Sequence, residues 1–359
     1  MDPTRRTLSH SSVQHVLITG GTHGNEANGV YLAKHFLQSP EVATRPSFTT
    51  SVELANPAAI AANLRYVDTD MNRCFLLHDL ADDSLASGAG FEPARAKVIN
   101  AKYGPKSSGR PSADLCIDLH NTTANTGVAL MMAHDDAFAH EIAAHLMSLP
   151  IGSGIRVVEW APADDYAMLP SIGRSGMTFE VGSCPWGCLE GKWYAKSREL
   201  VLAALDFVHQ HNLTVACARK ALAGRPLTGA PAGAGAAGDR APPLAMGTRS
   251  IPIYRRVLNI DYPREEGGAE AGSGDIAGMV HPSLQHKDFD VITEGQGLFL
   301  MLDGSTRSFA AAEHGWDSTK HGEPHAFFIN EAAYYEKGVA LCLSERLEVE
   351  FSVLAAKLC

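Results

Sequence analysis

The sequence predicts an α/β protein: a mixed sheet flanked by helices, with a smaller β-rich domain towards the C-terminal end. Three observations carry this prediction. From Val13 to about Asn212, short apolar runs alternate with segments of helical spacing, which is how strands and helices packed in layers read. A low-complexity stretch then breaks the pattern. Beyond it, short apolar runs recur between Gly and Asp turns without intervening helices.

Val16-Leu17-Ile18 reads as a buried strand and Ala27 to Leu37 as the helix after it. Val52 to Asn56 reads as a strand closed by an Asn-Pro turn signal. Glu92 to Tyr103 has helical spacing. Leu115 to Leu119 is an apolar strand that ends in polar residues. Val128 to Ala133, Val157 to Trp160 and Met177 to Val181 are further strands, and His140 to Leu149 and Ser197 to His211 are helices. These place a first domain over 13–212. Of the 27 residues from Ala221 to Gly247, 19 are Ala, Gly or Pro and none is aromatic. Such a composition buries too little apolar surface to offset ordering entropy, so 218–249 reads as a linker or insertion. Strands over Ile251–Val257, Ile276–Val280, Leu298–Leu302, Ala326–Asn330 and Glu348–Leu354 then form a β-rich domain over 250–359.

The composition bounds the function. A chain of 359 residues, 45% hydrophobic, has room for about two domains with a sizeable core. Its net charge of -10 argues against a general nucleic-acid or membrane-surface binder. Met1 to Ser12 lacks the apolar stretch of a signal peptide, and no apolar run is long enough for a membrane span. The seven scattered cysteines read as reduced thiols of a cytoplasmic protein. Nothing in the sequence fixes an oligomeric state, and a homo-oligomer is compatible with it.

The chemistry concentrates at strand ends. Gly20-Gly21-Thr22-His23-Gly24-Asn25-Glu26 is a glycine-rich turn between the first strand and its helix. It lacks the Lys-Ser/Thr of a phosphate loop. An imidazole and a carboxylate three apart suit zinc, which takes three protein ligands and a water in catalytic sites. They equally suit a turn histidine beside a glutamate that favours a helix N-terminus. His120, at the end of another strand, is the candidate third ligand. Asp118, two before it, shares its face of the strand and could orient a ligand, or be a plain strand-end aspartate. Arg65, Asn72 and Arg73 lie on one loop and could grip a carboxylate and polarise a carbonyl. Ion pairing with Asp68 and Asp70 is the other reading. Glu180 sits inside an apolar strand, where burial would raise its pKa as a general base needs; at a sheet edge it would simply face water. His314, His321 and His325 form a loose C-terminal histidine cluster that also admits a metal reading.

Taken together, these residues resemble the aspartoacylase family of the zinc carboxypeptidase-like superfamily. The matches are Gly20 to Glu26, Arg65-Tyr66-Val67-Asp68 with Asp70-Met71-Asn72-Arg73, Asp118 to Thr123, Glu180-Val181-Gly182, His281-Pro282 and Asn330 to Lys337. They follow the family's order and span nearly the whole chain except the linker. Local wording such as Leu54-Ala55-Asn56-Pro57 and His120 to Asn125 is similar to the family's aminoacylase-3 branch. The resemblance implies a carboxypeptidase-like domain and a smaller domain that helps close the site. It implies one zinc per chain on His23, Glu26 and His120, Glu180 as general base and acid, and Arg65 polarising the scissile carbonyl. Asn72 and Arg73 would grip the α-carboxylate of a small-molecule substrate, and Tyr166 and Tyr334 would line its pocket. The implied activity is hydrolysis of N-acyl amino acids, aromatic or apolar ones or mercapturates above all. Alternatives are an N-acetylaspartate-specific enzyme, a carboxypeptidase-like peptidase or an inactive zinc-binding protein. Three departures stand out. Ser183-Cys184-Pro185-Trp186-Gly187 replaces the family's Pro-Gln-Pro-Gln-Gly, the Ala221 to Gly247 insertion is foreign to the family's pattern, and Pro170 stands where aspartoacylase has a side-chain-binding arginine, leaving Arg174 as a candidate substitute.

Overall fold

The structure, a computed structural model, describes residues 5–6, 11–81, 90–160, 166–223, 246–265 and 274–354. Its strands are β1 (Arg5–Arg6), β2 (His15–Gly20), β3 (Thr49–Leu54), β4 (Leu115–Asn121), β5 (Gly127–Met132), β6 (Ile155–Glu159) and β7 (Ser175–Gly182). They continue with β8 (Met246–Asp261), β9 (Gly278–Val280), β10 (Gly297–Met301), β11 (Thr306–Ser308), β12 (His325–Phe327) and β13 (Val339–Leu354). Ten strands form one mixed sheet in the order β1-β13-β8-β6-β5-β7-β4-β2-β3, with β12 also on β13.

The expected mixed sheet flanked by helices is present. β3, β2, β4 and β7 run parallel, and β5 joins β7 antiparallel. Every residue of β4 is buried, as central parallel strands covered on both faces require. Helices Ala27–Gln38, Ala137–Ser148 and Gly191–Ala223 supply Leu32, Phe36, Ile142, Leu146, Leu200 and Val208 to the core on the sheet. The parallel arrangement brings the carboxyl ends of β2, β4 and β7 to one edge, where open α/β sheets bind ligands.

The β-rich part holds a second core around Leu298, Phe299, Phe309, Trp316 and Ile329. It does not begin cleanly after a linker. β8 and β13 are 16-residue strands paired along their length. Ile251, Ile253, Val349 and Phe351 belong to the main core, and Ile260, Leu341 and Leu343 belong to the second. The low-complexity segment is also narrower at both ends than 218–249. The helix from Gly191 continues to Ala223 and β8 starts at Met246; residues 224–245 lie outside the described residues. Ala residues near the helix end favour extension, which is why composition alone overdrew the break. Cys74, Cys116, Cys184, Cys188 and Cys342 are free thiols, whereas Cys217 is disulfide-bonded and corrects the reading of all seven as reduced. Among the described residues, no helix is long and apolar enough to cross a membrane.

Candidate metal and active site

The Gly20 to Glu26 turn leaves the end of β2 and packs against the helix Pro57–Ala62. Gly24 makes that packing feasible: an added Cβ would sit 2.1 Å from the Ala59 carbonyl carbon. Its N–H donates to the Arg65 carbonyl (3.2 Å), so one glycine holds the His23 turn against the Arg65 loop. Gly24→Ala is expected to cost about 1–3 kcal/mol through overpacking and to weaken metal binding at the same time. Urea unfolding and metal titration of one preparation check both.

Buried Glu92 organises the loop after Arg65. Its carboxylate accepts the N–H groups of Val67 (2.6 Å), Asp68 (3.0 Å) and Thr69 (3.2 Å) and the Asn56 amide (2.9 Å). Asn56 in turn caps the Pro57–Ala62 helix by accepting from the Ala59 N–H. The loop thereby turns back so that Asp70 and Asn72 face the sheet edge.

His23, Glu26 and His120 meet there, all buried, with their ligand atoms within 4.8 Å of one another. Each imidazole turns Nδ1 towards Glu26, His23 at 2.6 Å and His120 at 2.8 Å. Each turns Nε2 towards an aspartate: His23 to Asp70 at 3.1 Å, His120 to Asp118 at 2.6 Å. Asp118 is fixed by the hydroxyls of Thr19 and Thr22, at 2.6 and 2.8 Å. A carboxylate behind each histidine sets its tautomer and raises its basicity, the usual support of a metal-bound imidazole. Two such nitrogens and one carboxylate make a donor set that fits zinc and leaves a position open. Burial alone would raise the Glu26 pKa, but His23 and His120 hold it well below the usual range. Burial would depress His120, yet Asp118 and Glu26 raise it well above an ordinary imidazole.

Glu180 stands beside this cluster because β7 runs in register with β4, pairing His120 with Glu180. Enclosure by the pocket walls, with Glu26 nearby, pushes its carboxyl pKa well above the usual value, and His120 opposes the shift. Arg65 donates to Glu26 (3.2 Å) and Asp70 (3.3 Å), while its Nε, also buried, lacks a partner. Burial would lower the Arg65 pKa, but Asp70 and Glu26 raise it. Arg73 is at the pocket and bonds the Asn72 carbonyl oxygen at 2.6 Å. Asn72 is buried. It accepts from the Leu169 N–H (3.0 Å), and its Nδ2 faces His120 at 3.4 Å.

One pocket contains His23, Glu26, Arg65, Asn72, Arg73 and His120 together with Glu180 and Tyr334. Met131, Met168 and Phe328 give it an apolar wall, and Tyr334 packs edge-on against Phe328. Tyr166, expected at the substrate pocket, lines a neighbouring cavity with Asp136, Pro170 and Arg174. Lys106 and the Phe75 N–H pin the backbone carbonyls of Tyr166 and Ala167, and Met168 takes the place at the pocket. Pro170 is likewise away from the pocket, and Arg174 is paired with Asp114 at 3.2 Å. His321 bonds Glu345, and His325 bonds the Phe289 carbonyl oxygen. Among the described residues, only the His23 cluster has ligand-bearing atoms converging for a metal.

Sequence reasoning missed Glu331 and Lys337 as site residues and read Asp70 only as an ion-pairing partner. Glu331 reaches across from the second domain to accept from Thr123 Oγ1 and the Ala124 N–H, each at 3.0 Å, and from Thr122 Oγ1. Lys337 reaches Asp70 at 3.3 Å. Their signal lay in the Asn330 to Lys337 match, which names the stretch but not which of its side chains reach inward.

Comparison with known proteins places the chain in a family. Residues 12–208 match the succinylglutamate desuccinylase/aspartoacylase catalytic domain, and residues 249–346 match the AstE/AspA barrel-sandwich hybrid domain. The chain belongs to this family. A family member from Nostoc sp. named probable aspartoacylase is 34% identical, over 94% of this chain and 97% of its own length. A Mus musculus protein named N-acyl-aromatic-L-amino acid amidohydrolase (carboxylate-forming) is 35% identical, over 96% of this chain and 95% of its own. The crystal structure of murine aminoacylase 3 superposes with a TM-score of 0.79 at 33% identity, covering 97% of this chain and all of that one.

Proposed function

We propose that this family member is a zinc-dependent amidohydrolase that cleaves N-acyl amino acids to a carboxylate and the free amino acid, preferring aromatic or apolar ones to N-acetylaspartate. The observation that carries the reading is the junction of the His23, Glu26 and His120 donors with Glu180 and Arg65 in one pocket with an apolar wall. The names of the relatives support the same reaction class. When bound, zinc supplies Lewis-acid polarisation and an activated water near neutral pH.

This chain's residues do the rest. Glu180, with its raised pKa, takes the proton of the attacking water and returns it to the departing nitrogen. Arg65, anchored by two carboxylates, presents positive charge to the developing oxyanion without having to reorganise. Arg73, with the Asn72 amide, takes the α-carboxylate. Apolar Met131, Met168 and Phe328 disfavour a charged group close to the reacting amide, since a carboxylate buried against them without a partner would be costly. The expectation of apolar selectivity therefore rests on these walls rather than on Pro170.

N-acetyltyrosine is expected to exceed N-acetylaspartate in kcat/KM by at least about tenfold, a factor that needs only about 1.4 kcal/mol. The ratio on one zinc-loaded preparation tests it. A preference for N-acetylaspartate would assign its side-chain carboxylate to a cation other than Arg73, such as Lys337, and return the chain to the aspartoacylase reading.

A further inference from the structure

We infer that a vestibule beside the catalytic pocket is a second substrate subsite, which takes an apolar ring or chain attached to the reacting amide. This inference rests on the amidohydrolase reading above. The catalytic pocket offers about 50 Å³. That is room for only a few waters, since one needs about 10–15 Å³. The vestibule next to it offers about 500 Å³. Arg65 and Ala333 line both, so a group held in the vestibule is joined to whatever places its amide at Arg65.

Three segments wall the vestibule: Asn63 to Tyr66, Trp186 with Gly187, and Ala332, Ala333 and Glu336. Its apolar surface comes from Leu64, 52% exposed, Trp186, 38% exposed, and the two alanines. A large indole left open beside an exposed leucine, at the mouth of a reaction pocket, is a surface that gains by being covered. The walls are already braced. The Gly187 N–H donates to the Asn25 carbonyl at 2.7 Å, and the Tyr66 hydroxyl donates to Glu336, tying the first wall to the third. Asn25 also lines the vestibule and is 5% exposed. Rigid, mostly apolar walls with a few polar groups are the usual make-up of a small-molecule site. Trp186 belongs to the Ser183 to Gly187 stretch that departs from the aspartoacylase wording.

The apolar group can come from either end of the substrate, the acyl chain or the amino-acid side chain, and the test separates them. Wild type and Trp186→Ser are compared by kcat/KM in two series. One carries acetyl, benzoyl and octanoyl groups on alanine; the other carries alanine, phenylalanine and tryptophan under a fixed acetyl group. In one series at least, the variant is expected to lose about fivefold more on the bulkiest member than on the smallest, chiefly through KM. That series identifies which end occupies the vestibule. Leu64→Ser is expected to shift the same ratio in the same direction. Equal losses across both series overturn the subsite, while turnover of N-acetylalanine leaves the amidohydrolase reading standing. No turnover of any N-acyl amino acid by zinc-loaded wild type would overturn that reading, and the subsite with it.

Discussion

Glu180→Gln is expected to lower kcat by about 100- to 10,000-fold, the usual contribution of a positioned acid–base group, and to leave metal stoichiometry unchanged. Glutamine keeps the size and polarity of the side chain but cannot take a proton from water. The proposed metal donors, His23, Glu26 and His120, are untouched. The environment of Glu180 is what makes the effect large. Burial and the adjacent Glu26 raise its pKa, so its carboxylate is a stronger base than a solvated glutamate. Single-turnover rates with zinc content measured on the same sample check the expectation. A variant that retained near wild-type turnover would move the base to another group.

His120→Ala is expected to abolish both metal retention and turnover, the largest joint effect of any single change considered. It removes one of the converging donors and leaves Glu26 and Asp118 facing each other without the imidazole that bridged them at 2.8 and 2.6 Å. Asp118→Asn separates ligation from support. It keeps all three donors and weakens the bond behind His120, while its remaining oxygen can still accept from Thr19 and Thr22, so zinc affinity is expected to fall by about 10- to 100-fold without vanishing. Chelator-competition titrations of the two variants, with circular dichroism to confirm folding, distinguish these outcomes. Stoichiometric zinc in folded His120→Ala would exclude His120 as a ligand.

Much of the site was readable because its chemistry sits on local patterns. The glycine turn after an apolar run placed His23 and Glu26 at a strand end, and the apolar Leu115 to Leu119 run placed His120 at another. Neither pattern says that the two strands are neighbours. That follows from the parallel pairing of β2 with β4 and of β4 with β7. Glu180 stood out as a charge within an apolar strand, but its alignment with His120 is a matter of register, which sequence spacing does not encode. Tyr166 was expected at the pocket from the family resemblance alone; Lys106 and Phe75 decide which way its segment turns, and no local pattern encodes that. Glu92 was legible as a helix residue but not as the acceptor that shapes the Arg65 loop, because its partners are 23 to 36 positions away. The longest discrepancy, the helix to Ala223, arose where alanine-rich sequence suits helix and low-complexity segment alike.

The shared ribbon of β8 and β13 restricts how this molecule can breathe. A hinge between domains needs a crossing point where few residues carry the connection. Here two long strands cross together, hydrogen-bonded to each other, with side chains in the cores on both sides. Rotating one part against the other would shear that ladder. Glu331, anchored across the gap on Thr123 and Ala124, adds a further strut. With that ladder intact, the movement left to the molecule is at the rim, at Trp186 and the Tyr66–Glu336 contact. The proposed site, built on the sheet edge, is therefore expected to be formed before a substrate arrives.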